Sequence, residues 1–98
     1  MRIYITSRLI IYTGVYHQNT EHSNECENGV EILDEEECKY AANQLGYGSN
    51  VEVGHYGHWP KGCFYYGGHD RVFFTTVDPT EPIQEQHFKI CKTGVVYV

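Results

Sequence analysis

Four cysteines constrain this chain more tightly than any other feature. Cys26, Cys38, Cys63 and Cys91 are separated by 11, 24 and 27 residues, and no two stand at C-x-x-C spacing. The local signatures of a zinc knuckle or a thioredoxin-type redox site are therefore missing. An even count in a short chain points instead to a disulfide framework and an extracellular or cell-surface setting. A chain of 98 residues benefits from such support. At this size one core removes only about 60 to 65% of the unfolded chain's surface from water, which leaves a thin margin of stability.

Val and Ile together number sixteen and the aromatic residues fourteen, against six for Leu, Ala and Met combined. Branched and aromatic side chains suit a pleated surface, so these counts argue against a helical bundle or a Leu-rich coiled coil. They also argue against a membrane span, which needs about 20 consecutive apolar residues. Seven basic residues against thirteen acidic ones give a net charge of −6, the wrong sign for a nucleic-acid binder.

Residues 2–16 alternate. Ile3, Ile5, Leu9, Ile11 and Val15 share one face, while Arg2, Tyr4, Thr6, Arg8, Tyr12 and Tyr16 share the other. Period two over this length predicts a strand of roughly 50 Å, far longer than the usual 5 to 6 residues. Arg2, Ser7 and Arg8 interrupt the apolar residues, so the segment does not read as the core of a secretion signal. Residues 17–25 contain no apolar side chain and read as a linker.

From Cys26 onward the pattern is that of a compact module, residues 26–98. Asp34 with Glu37 three residues later makes an Asp form of the capping box, with Leu33 and Cys38 at the staple positions. Cys38, Ala41, Ala42 and Leu45 recur at helical spacing and Gly46 stands where the helix should stop. Strands are predicted over 30–33, 51–56, 62–66, 71–76, 87–91 and 95–98, with Gly67-Gly68-His69-Asp70 as a hairpin turn. The fold class is α+β: one helix packed on a small antiparallel sheet, disulfide-stapled, with a long N-terminal strand extension over residues 1–16.

The run ECENGVEI, EEECKYAANQLG, WPKGCFYY, RVFF and FKICK resembles a small cysteine module that recurs in predicted secreted proteins of algae, other protists and some marine animals. The resemblance covers Cys26 to Cys91 and implies an extracellular, disulfide-bonded, non-catalytic module. The chain departs from the pattern at Thr75 and Thr76, where the family has an Asn soon after its Val-x-Phe strand. Four cysteines allow three connectivities, and sequence alone leaves them open. The favoured pairing joins Cys26 to Cys91, stapling the ends of the module, and Cys38 to Cys63, tying the helix to a central strand.

Other clusters have plain readings. His55 and His58 stand at H-x-x-H spacing but straddle Gly57 and precede Trp59-Pro60, so they belong to a loop, with His69 nearby in the sequence's second half. That context is poor for a zinc site. Asp34 to Glu37 are consecutive, unlike the alternating ligands of a calcium loop, and suit the first turn of a helix. Ser7, Ser23 and Ser49 have no paired base, so no enzyme and no cofactor are expected. Tyr47, Tyr56, Trp59, Tyr65 and Tyr66 are the best candidates for a binding face, since flat rings stack on sugars or anchor a protein partner.

The leading expectation is a structural protein that self-assembles into fibres or coats. Ile3, Ile5, Leu9, Ile11 and Val15 would add a strand to a neighbouring subunit, giving a homo-oligomer or helical filament. The alternative is a carbohydrate-binding or adhesive module using the aromatic face.

Overall fold

A computed structural model describes residues 14–95, with Gly94 and Val95 as backbone alone. The elements are β1 (Gly14–Gln18), β2 (Val30–Glu31), α1 (Glu35–Gln44), β3 (Val51–Val53), β4 (Gly62–Tyr66), β5 (Arg71–Thr75) and β6 (His87–Val95).

The helix is set by its ends and one buried stripe. Asp34 sits in extended conformation and its Oδ2 accepts from the Glu37 amide at 2.9 Å. At the other end Gly46 adopts φ 91°, its amide donates to the Asn43 carbonyl, and the Tyr47 amide donates to that of Ala42. That bond pair is a Schellman motif, which only a residue tolerant of positive φ closes without strain. Cys38, Ala41 and Ala42 are fully buried against Val51, Cys63, Val72, Phe74 and Ile90. The two alanines allow the helix axis close to the sheet, and the Cys38–Cys63 disulfide fixes helix to strand. Leu33, expected as the staple partner of Cys38, is half-exposed, and its neighbour Ile32 is buried instead.

The strand order is β1-β6-β4-β5-β3, and β2 pairs with β6 alongside β4. β6 is therefore the organising strand, and the two strands predicted over 87–91 and 95–98 are one continuous element as far as Val95. The expectation of a wholly antiparallel sheet is corrected. β3 runs parallel to β5, with Val51 opposite Val72, while the remaining pairs are antiparallel. Because β3 and β4 flank β5, residues 54–61 must cross β5 instead of turning back as a hairpin. The crossing lies on the face opposite α1.

The N-terminal pieces also differ from expectation. β1 continues through Gln18, so the boundary placed after Tyr16 falls inside a strand. The polar run that reads as a linker is folded around Asn19, which is buried; its amide donates to the Lys89 carbonyl, its Nδ2 to the Glu25 carbonyl, and its Oδ1 accepts from the Glu27 amide. Polar composition here encodes a hydrogen-bonded loop, not a spacer. Cys26, the residue after this run, is bonded to Cys91 of β6. Glu37 is also more than a cap residue: its carboxylate accepts from the Tyr16 hydroxyl at 2.7 Å and pairs with Lys92 at 2.6 Å, joining helix, β1 and β6. Gly14 makes room for the Lys92 stem, since a Cβ there would lie 2.9 Å from its Cγ. Ile3, Ile5, Leu9 and Ile11 lie outside the described residues, whereas Val15 is 55% exposed on the outermost strand.

Candidate binding cleft

The crossing segment between β3 and β4 builds the site. Its anchor is Trp59, only 7% exposed, whose ring meets Phe64 at 5.0 Å and Phe73 at 4.9 Å on the helix-free face of the sheet. Gly54 borders the indole, and a Cβ there would meet two ring carbons at 3.4 Å, about van der Waals contact. The Gly57 carbonyl accepts from the amides of Thr80 and Glu81, which ties this segment to the loop between β5 and β6. A cleft of about 680 Å³ lies on that face, within the usual range for small-molecule sites.

Phe73 and Trp59 line its depth. Tyr56 stands edge-on to Trp59 at 5.0 Å and near-parallel to His58 at 6.0 Å, and it is still 61% exposed, so part of its ring surface is open. On the other side Tyr66 stacks on His87 at 4.3 Å and 19°, with His69 against it at 4.9 Å and His58 edge-on to His87 at 5.2 Å. Glu52 and Arg71 also line the cleft and form an exposed ion pair at 3.4 Å. The Tyr66 ring lies over Gly68, where a Cβ would fall 2.5 Å from the ring's hydroxyl end. Nδ1 of His87 lies 2.8 Å from the Glu85 carbonyl and 3.2 Å from that of Gln84. Burial holds its pKa below the ordinary histidine value.

Chemically, the cleft combines flat apolar rings with an acceptor and donor pair and several imidazoles. It can stack on one face of a flat ligand and bond hydroxyls at its edge. Among the described residues, no group of three or more His, Cys, Asp or Glu side chains is arranged to hold a metal ion.

Of the five aromatic residues expected to form one face, the structure gathers Tyr56, Trp59 and Tyr66 and separates Tyr47 and Tyr65. The cause is the strand period. Cys63 and Tyr65 of β4 point to the helix side and Phe64 and Tyr66 to the cleft side. Tyr65 instead stacks on Tyr47 at 4.3 Å, its hydroxyl donates to Asp70 at 2.6 Å, and Tyr47 bonds Gln18. The Asp70 carboxylate pushes the Tyr65 hydroxyl up to about 12. His58 and His69 line the cleft and His55 does not. Sequence reasoning missed Glu52, Arg71, Phe73 and His87. Alternation within RVFF, which sets Arg71 and Phe73 on one side, was the available signal for two of them.

No protein-family model matches the chain, and no curated protein or solved structure matches it significantly.

Proposed function

We propose that the protein is an extracellular glycan-binding module whose ligand stacks in the cleft beside Tyr56 and Tyr66. The observation that carries this reading is the concave site itself, with rings on its walls and the Glu52–Arg71 pair among the residues lining it. A hydroxyl both donates and accepts, so adjacent hydroxyls of a sugar suit a carboxylate beside a guanidinium. The two disulfides support the extracellular setting, as does the resemblance to a secreted cysteine module. No helix among the described residues is long and apolar enough to cross a membrane.

The test is a glycan array probed with the intact protein and with Tyr56→Ala, which removes an exposed ring and leaves the buried Trp59 in place. Binding weakened about tenfold in the variant, with an unchanged circular dichroism spectrum, is expected. Equal binding by both proteins would overturn the assignment.

A second reading, strand addition between copies, is supported by β1 as the outermost strand with Val15 exposed. Removal of residues 1–16 should then lower the number of copies per particle seen by light scattering, and an unchanged number of copies rules this reading out.

A further inference from the structure

The charge class of the ligand follows from one imidazole, and the inference rests on the glycan-binding reading. Both partners of His87 Nδ1 are carbonyl oxygens, which only accept, so Nδ1 carries the hydrogen of the neutral ring. Nε2 is left with a lone pair. Stacking on Tyr66 and packing against Phe64 at 5.7 Å hold the ring in place, and Gln86, at φ 66°, shapes the turn that presents the two carbonyls. Among the described residues no protein group donates to Nε2.

The surrounding charges do not alter this. The Glu52–Arg71 pair of β3 and β5 sums to zero. The titratable groups facing His87 are Tyr66 on β4, His58 on the crossing segment, His69 on the β4–β5 turn and His22 on the segment after β1. They are imidazoles and one phenol, and no carboxylate is among them. An anionic sugar would meet the lone pair of His87 and the carboxylate of Glu52, with Arg71 already paired. An uncharged sugar meets two acceptors and a donor, which its hydroxyls satisfy together.

We infer that the cleft takes an uncharged saccharide, one hydroxyl of which donates to Nε2 of His87, and that acid releases it. Protonation removes the lone pair of Nε2, so the sugar hydroxyl can no longer donate to it. The release is the loss of that acceptor.

The experiment is an array of neutral, uronate-containing, sulfated and sialylated saccharides at pH 7.5, followed by calorimetric titration of the tightest-binding glycan from pH 7.5 to 5. Neutral saccharides should bind, affinity should fall at least tenfold over that range, and His87→Phe, which keeps the stack, should bind about tenfold more weakly at pH 7.5 and lose the pH dependence. As a readout free of any folding defect in the variant, nitrogen-15 spectra of the wild-type imidazoles should show His87 Nε2 unprotonated at pH 7.5 and shifted by the sugar. Binding confined to acidic saccharides, affinity that rises as pH falls, or a protonated Nε2 would overturn the inference while leaving the glycan-binding reading intact. No binding to any saccharide would overturn both.

Discussion

Tyr66 and His87 stand directly opposite one another in the β4–β6 register, and their rings stack 4.3 Å apart. Both residues of this cross-strand pair line the cleft. The pair also marks the face of the sheet that α1 leaves uncovered, so the site exists because the β3–β4 connection arches over one part of that face and leaves another open.

Gly68 sets the position of Tyr66. A Cβ there would lie 2.5 Å from the phenol end of the ring. Gly68→Ala should displace the ring without unfolding the protein, because Gly68 is exposed and the obstructing atoms belong to a side chain's far end. Saccharide affinity should drop about threefold to tenfold with little change in urea midpoint, and calorimetry beside urea unfolding checks both.

The disulfides close loops of 65 and 25 residues. In the chain-entropy model these contribute about 4 and 3.5 kcal/mol respectively. Either amount is a large part of a small domain's net stability. Cys26→Ala with Cys91→Ala should therefore cost slightly more than Cys38→Ala with Cys63→Ala, and reductant should unfold the intact protein. Trp59 fluorescence during urea unfolding measures each case.

Local chemistry made much of the fold legible. Asp34, the Cys38, Ala41, Ala42 stripe and Gly46 define the helix from nearest-neighbour rules, and the hairpin at Gly67 to Asp70 follows from its turn residues. What was not legible depends on contacts distant in the chain. Nothing in Val51 to Val53 says that it will pair with β5 in parallel, because pairing direction is fixed by where the chain crosses the sheet and not by side-chain pattern. The five-ring face failed for a simpler reason, since adjacent Tyr65 and Tyr66 cannot share a face of one strand. Asn19 escaped notice because a buried polar hub and a solvated spacer have the same composition.

Tyr65 should be distinguishable from the other tyrosines by titration. Its hydroxyl donates to Asp70 and is pushed up to about 12. Ultraviolet difference titration should show one tyrosine ionising near that value, and Asp70→Asn should move it back toward 10.

Stability should fall between pH 7.5 and 5. His87 takes up a proton near its ordinary value when unfolded and resists it when folded, because burial disfavours the charge. The unfolded state then binds more protons in that window, so its contribution is present above about pH 6.5 and is lost as pH falls toward the lowered folded value. Glu27, held low by hydrogen bonds from Thr20, acts below this range, since its contribution is present above the ordinary glutamate value and lost as pH falls through its own lowered one. Urea midpoints at pH 7.5, 6.5 and 5.5 should decline in order for the wild type.

Amide and side-chain chemical-shift mapping on addition of a bound neutral saccharide tests the cleft most directly. The expected result is that shifts concentrate on Glu52, Tyr56, Tyr66, Arg71 and His87 while Tyr47 and Tyr65 stay still. Shifts centred on Tyr47 and Tyr65, or on the outer edge of β1, would contradict a binding site on the helix-free face.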